Sequence, residues 1–151
     1  MTITIQSAYL TDYQRGMPGM LADGATQNRI SRTVEDAAGI AFGKAAFQGT
    51  TDHGLTGTPG TKFLGVVIAD VGLITQVAAS PDILPQYSTP SLLDMGDIFV
   101  TTSVAVTPGQ PVFVTPGGAF TNVSTSNTAI PATFRETAAI GAPVRIRIVQ
   151  Q

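Results

Sequence analysis

Residues 96–120 read GDIFVTTSVAVTPGQPVFVTPGGAF, two runs of β-branched and aromatic residues that each end in a Pro-Gly turn. Ile98, Val100, Val104 and Val106 share one parity, and Phe99, Thr101, Ser103 and Ala105 share the other. Because successive strand side chains point to opposite faces, this spacing predicts one apolar face and one Thr-rich face. Pro108-Gly109 sets one φ and leaves the next residue free to take a positive value, as a tight turn needs. Val112 and Val114 resume the alternation, so the stretch reads as a hairpin, and Pro116-Gly117-Gly118 turns the chain again.

Outward from this stretch the same grammar recurs. Toward the C-terminus, Val144, Ile146 and Ile148 alternate with Arg145 and Arg147. Phe134 centres a further predicted strand over 133–139, after a hydroxyl- and amide-rich loop over 121–132. Toward the N-terminus, FLGVVIAD (63–70) and VGLITQV (71–77) are continuous apolar runs. Such runs fit strands covered on both faces, and their glycines and β-branched residues argue against a buried helix. Residues 78–93, with Pro81, Pro85 and Pro90, read as irregular.

Gln48–Lys62 holds four glycines, one proline and five threonines and reads as a long surface loop or a wide hairpin connection. IAFGKAAF (40–47) reads as one strand with Gly43 at a bulge or close approach. Glu35-Asp36-Ala37-Ala38 can form a helical turn, which Gly39 stops. ISRTV (30–34) alternates as a strand should. Roughly eight to ten short strands joined by Gly/Pro/Thr turns predict an all-β domain. With no βα alternation, the choices are a small antiparallel β-barrel or a jelly-roll-like sandwich.

Residues 1–29 follow neither period after a brief alternation at Thr2–Ile5. Tyr9, Tyr13, Met17, Pro18, Met20 and Leu21 are spaced irregularly among glycines and polar residues. We read this as an extended N-terminal arm that seats anchors in another surface, ahead of a single β-domain over 30–151. An ordered coil on its own domain or a frayed terminus is the plainer alternative.

Charged residues make up 12% of the 151-residue chain against 43% hydrophobic. That is about half the usual charged share. A Thr-rich, charge-poor surface suits one that other chains cover, and a compact domain with a hydroxyl-rich surface is the alternative. Eight basic and ten acidic residues are scattered without blocks, which argues against direct nucleic-acid binding. No apolar stretch is long enough to span a membrane, and the N-terminus lacks the charged and apolar regions of a signal peptide. The absence of cysteine excludes disulfides and thiolate zinc sites.

Chemistry is sparse. His53, the only histidine, lies in the Gly/Thr loop with no nucleophile-elbow serine to serve. Asp94 and Asp97 flank Met95-Gly96, where they read as the turn feeding the next strand rather than as cation ligands. Arg145 and Arg147 form an anion-binding pair, dress a solvent face, or make ion pairs between subunits. Arg15, Arg29 and Arg32 near the arm suit bidentate pairing with a partner's carboxylates. Catalytic, metal and cofactor sites are therefore not expected, and the chain reads as non-enzymatic.

Five stretches in order carry a resemblance: RGMPGMLAD (15–23), NRISRTVEDAAGIAFGKAAFQGT (28–50), FLGVVIAD (63–70), MGDIFVTTSVAVTPGQPVFVTPGGAFTN (95–122) and AIPATFRETAAIGAPVRIRI (129–148). Together they resemble the structural cement, or capsid decoration, proteins of tailed bacteriophages. The resemblance implies a β-domain added to the outer surface of the virion head after synthesis in the host cytoplasm. There it would clamp neighbouring copies of the major capsid protein. Many modest contacts on a symmetric lattice add through avidity. Closed symmetry favours a homotrimer first and a dimer second. Tyr9, Tyr13, Arg15, Met17, Met20, Arg29 and Arg32 are the candidate capsid or subunit contacts. The alternatives are a tail or baseplate domain that binds a host glycan through the Thr/Asn loops and, third, a hydrolase using His53.

Overall fold

The computed structural model describes residues 16–70, 72 and 82–149. Thr2–Ile5 and all of the 71–77 run except Gly72 lie outside the described residues. The strands in chain order are β1 (Asn28–Ser31), β2 (Thr33–Val34), β3 (Ile40–Ala41), β4 (Ala45–Gln48), β5 (Gly54–Thr56) and β6 (Phe63–Val67). They continue with β7 (Ile83–Leu84), β8 (Ser91–Thr101), β9 (Pro111–Val114), β10 (Phe120–Thr121), β11 (Thr128–Phe134) and β12 (Pro143–Ile148).

The protein is all-β. Ten strands form one sheet in the order β10-β9-β11-β12-β8-β6-β4-β5-β2, with β1 also on β8, and β3 pairs with β7 as a separate ribbon. All ladders are antiparallel except β2–β5. The eleven-residue β8 organises the fold. Its N-terminal half pairs with β1 and β6, and its C-terminal half pairs with β12 from Gly96 to Thr101.

A closed barrel is not formed. The sheet comes nearest to closing at a single parallel bridge, Thr102 to Phe120, where Ser103 N–H donates to Phe120 O at 2.8 Å. One bridge is not a ladder, so the path stays open.

Two apolar clusters explain which runs are continuous and which alternate. The larger takes Ala45, Phe47, Val66 and Leu93 from one half of the sheet and Ile98, Val114, Phe134 and Ile146 from the other. The smaller, with Val34, Phe42, Ala46, Leu55, Leu84 and Leu92, covers the opposite face of β4, β6 and β8. Strands between the clusters are buried on both faces, which accounts for FLGVV in β6. β12 is buried on one face only, so Val144, Ile146 and Ile148 point inward and the arginines point out.

Several expectations are corrected. The 98–106 run ends at Thr101, because Thr102 Oγ1 donates to Val104 O at 2.8 Å and so substitutes a local turn for the ladder. β9 consequently pairs with β10 and β11 and not with β8, so the hairpin turns at Pro116–Gly118 rather than at Pro108-Gly109. Asp94-Met95-Gly96-Asp97 is strand interior and not a turn, and the stretch read as irregular over 78–93 holds β7 and gives way to β8 at Ser91. IAFGKAAF divides into β3 and β4, since Gly43 adopts φ 68 with its N–H on Val67 O. A Cβ there would stand 2.6 Å from Gly19 N.

ISRTV likewise divides at Arg32, and β11 starts at Thr128 inside the stretch read as a loop. Pro131 is accommodated in β11 at a register irregularity against β9. Glu35–Ala38 is not helical, since its two carboxylates hold the neighbouring loop and Gly39 N–H closes a turn on Asp36 O at 2.9 Å.

Candidate functional site

Tyr9, Tyr13 and Arg15 lie outside the described residues. The segment after them runs along β8: Gly19 N–H donates to Phe99 O at 2.8 Å, Phe99 N–H to Met20 O at 2.9 Å, and Ala22 N–H to Asp97 O at 3.0 Å. Phe99 explains this docking. Its parity turns it away from the main core, yet it is 1% exposed because Gly16 and Met20 close over its ring.

The segment leaves Met17 at 64% and Met20 at 43% exposure. Both line a cavity of about 530 Å³ with Leu21, Arg29, Ile68 and Asp70. The fold therefore brings together Met17, Met20 and Arg29 of the expected contacts. The Arg29 guanidinium donates to Gln27 Oε1 at 3.0 Å. Arg32 sits apart, beside Lys62, Phe63 and Asp94 in a cleft of about 290 Å³, with Nη1 on Ser31 O and a buried Nε without an acceptor.

Arg145 and Arg147 make ion pairs within the chain. Arg147 reaches Asp97 Oδ2 at 3.1 Å, and Arg145 reaches Asp23 Oδ2 at 3.5 Å and Glu136 Oε1 at 3.4 Å. The last is an ion-pair distance without hydrogen-bond geometry at Nε. Asp97 Oδ1 is buried with no donor. Burial pushes the Asp97 pKa above its ordinary 3.8; the Arg147 guanidinium opposes the rise and the neighbouring Asp23 carboxyl reinforces it. A proton on either acid would supply the donor that Oδ1 lacks.

A raised folded-state pKa means that the stability linked to Asp97 is fully present below pH 3.8 and is lost as pH rises through the folded value. Arg147→Ala should therefore cost less at pH 4 than at pH 7. At pH 7, where Asp97 would be a buried charge without its cation, it should cost about 1–3 kcal/mol, below the fully buried case because Arg147 is part-exposed. Urea denaturation at the two pH values checks this, and an equal loss at both would refute it.

The Gly/Thr loop is held from outside. Glu35 Oε2 accepts from Thr50 N–H at 2.7 Å and Thr50 Oγ1 at 2.8 Å, and Oε1 accepts from Thr51 N–H at 2.9 Å and Thr51 Oγ1 at 2.6 Å. These bonds, the Thr51 hydroxyl foremost, lower the Glu35 pKa from 4.5 to about 2. The Asp36 carboxylate accepts from Thr56 Oγ1 at 2.8 Å and Gly57 N–H at 2.6 Å. The Glu35 contribution is complete above pH 4.5 and is lost as pH falls through about 2. In Glu35→Gln, the Thr50 and Thr51 amides should exchange with solvent at pH 6 as fast as exposed amides, while β12 amides keep their protection.

His53 is exposed, and its carbonyl accepts from Thr33 N–H at 2.8 Å. Among the described residues, no group of three His, Cys, Asp or Glu side chains could hold a metal ion, and no helix is long and apolar enough to cross a membrane.

Sequence reasoning missed the Glu35 and Asp36 clamps. The acidic pair followed by a Thr/Gly loop was visible, but nothing in the order of residues tells that the two are apposed. It also missed Tyr87, which takes φ 67 and is 76% exposed.

Comparison with solved structures finds the capsid of Myoviridae phage XM1, a chain of which matches with a TM-score of 0.68 at 15% identity, over 96% of this chain and 97% of that one. At that identity the likeness speaks for the fold. No curated protein sequence matches. Residues 5–149 match the family described as structural cement protein (E217 gp24/Pam3 gp6). That match takes in nearly all of the sequence, and the chain belongs to the structural cement protein family.

Proposed function

We propose that this protein cements a bacteriophage head: it attaches to the outer surface of the capsid and strengthens contacts between neighbouring major capsid proteins. The observation that carries this reading is the family match over residues 5–149. The rest of the molecule is consistent with a role of shape rather than chemistry. The acidic residues at β8 and beside the Gly/Thr loop are engaged in holding the fold, so we read the protein as non-enzymatic and without a cofactor.

The finer architecture we propose is a jelly-roll-like sandwich in which the two halves of the folded sheet share the larger core. We take residues 1–29 as the arm and 30–151 as the β-domain, with Tyr9, Tyr13, Arg15, Met17, Met20, Arg29 and Arg32 at capsid or subunit contacts. Two thioethers left exposed beside Arg29 suit an adaptable apolar contact. A homotrimer is the favoured state, ahead of a dimer, and assembly would occur in the host cytoplasm on the way to the virion.

The test is attachment. Heads lacking the protein should bind the purified chain and then withstand higher temperature before releasing DNA. Because Gly19–Ala22 and Asn28–Ser31 bond to β8, an arm deletion must stop before Gly16. A chain lacking residues 1–15 should fold and bind heads at lower occupancy. Undiminished occupancy would remove these residues from the contact, and no binding by the full chain would remove the cement role.

A further inference from the structure

Pro85-Gln86-Tyr87-Ser88 is a turn closed by Ser88 N–H on Pro85 O at 3.2 Å, with Tyr87 N–H anchored to Val34 O at 2.9 Å. Its third position carries φ 67, a value that such a turn ordinarily assigns to glycine or asparagine. Here a tyrosine occupies it with its side chain in solvent, 76% exposed. Tyr87 lines a cleft of about 650 Å³ together with Glu35, Asp36, Gln48 and Gln86.

A donor and acceptor ledger of that cleft is one-sided. The hydroxyls of Thr50 and Thr51 donate to Glu35, and that of Thr56 donates to Asp36. Gln48 Nε2 donates to Thr51 O and Gly54 O, and Gln86 Nε2 donates to Glu35 O at 2.8 Å. With the amides so oriented, the wall offers an incoming group the remaining lone pairs of Asp36 and the amide oxygens of Gln48 and Gln86. Beside them stand Tyr87 and net negative charge, and no basic side chain lines the cleft. A sugar hydroxyl both donates and accepts, and for its accepting half these side chains offer it only the Tyr87 hydroxyl and the second Gln86 N–H. A guanidinium donates only, is cationic and stacks on aromatic rings, so it matches every feature.

We propose that the Tyr87 cleft receives an arginine side chain of a neighbouring protein in the shell, its guanidinium stacked on the phenol and donating to Asp36. This rests on the cement reading for where the arginine comes from, and not for the chemistry of the cleft.

The probe is acetyl-Gly-Arg-Gly-amide, titrated into the isotope-labelled full chain by NMR, with the lysine counterpart and a glucose oligosaccharide in parallel. The arginine peptide should shift the amides of Thr50, Thr51, Gly57 and Tyr87, and bind at least about fivefold tighter than the lysine peptide. In Tyr87→Gly that binding should weaken at least about fivefold. The melting temperature should hold or rise, because glycine takes φ 67 without strain. The same variant should decorate heads less fully.

Absence of arginine-induced shifts, equal binding by lysine, unchanged binding in Tyr87→Gly, or shifts from the oligosaccharide alone would each overturn the proposal. Full binding of the wild-type chain to heads alongside a silent peptide titration would sink the cleft and leave the cement reading standing. Peptide binding by a chain that ignores heads would do the reverse.

Discussion

Gly65→Ala should lose about 3–5 kcal/mol, the sum of a side chain forced into a disfavoured backbone region and a clash that cannot relax. Gly65 lies inside β6 at φ 146, and a Cβ there would sit 2.5 Å from Leu93 O and 2.8 Å from Leu93 C. Both obstacles are backbone atoms of β8, the strand that joins the two halves of the sheet, so no rotamer change makes room. For a domain whose whole stability is of order 5–15 kcal/mol, this loss leaves a large unfolded fraction at 37 °C. Gly117→Ala is the matched control: at that turn the nearest atom to a new Cβ is Thr115 Oγ1 at 3.9 Å. Guanidinium denaturation of the two variants should separate them by most of that 3–5 kcal/mol. Similar midpoints would mean that β6 can move away from β8, contrary to the packing described above.

Phe47→Ala is expected to be about as costly, at about 3–5 kcal/mol, for the different reason that it empties a site the surroundings cannot fill. Phe47 is 0% exposed in the larger core and meets the Phe63 ring edge-on at 5.7 Å and 68°. The residue belongs to β4, packed on β6, and its loss would also leave the Phe63 ring without its partner. The melting temperature should fall by about 10–15 °C for a chain of this size. Phe47→Leu, which keeps most of the volume, should recover more than half of the loss. If alanine and leucine behave alike, the site is looser than its burial indicates. Both variants bear on function through folding alone: heads mixed with either at low temperature should still be decorated by the fraction that remains native.

The all-β class, the turn at Pro116–Gly118 and the facing of β12 were legible in the sequence because each depends on neighbours one or two residues away. VRIRI alternates in composition and in burial alike. The two-faced burial of FLGVV was legible for the same reason, since a strand covered on both sides needs apolar residues at both parities. Errors fell where a local pattern met a distant or competing bond. Thr102 interrupted an otherwise continuous strand with its own hydroxyl, and β11 took in Pro131 from a stretch read as a hydroxyl- and amide-rich loop. Asp94 and Asp97 read as a turn because Gly96-Asp97 stands directly before an alternating run. In the fold, Asn28 answers the first and Arg147 the second, from residues 66 and 50 positions away in the chain.

Of the contact residues, Met17, Met20 and Arg29 stood out in the sequence as apolar anchors and cations outside any period, and the fold places them around one cavity. Tyr87 did not stand out. Its exposure and positive φ follow from how Pro85 and Ser88 close a turn against Val34, which no local pattern announces.

By itself, the order of amino acids determined that this chain is built of short strands, which side chains of its terminal strand face inward, and, through five stretches in sequence, its kinship with the cement proteins. Those properties live in spacing, which a linear text preserves. Only the tertiary structure decided that the sheet stays open, that Gly16–Ala22 covers Phe99 along β8, and that Glu35 and Asp36 grip the Gly/Thr loop. Each of these joins residues that are separated along the chain, and a hydrogen bond or a buried ring depends on distance in space, which sequence spacing leaves free.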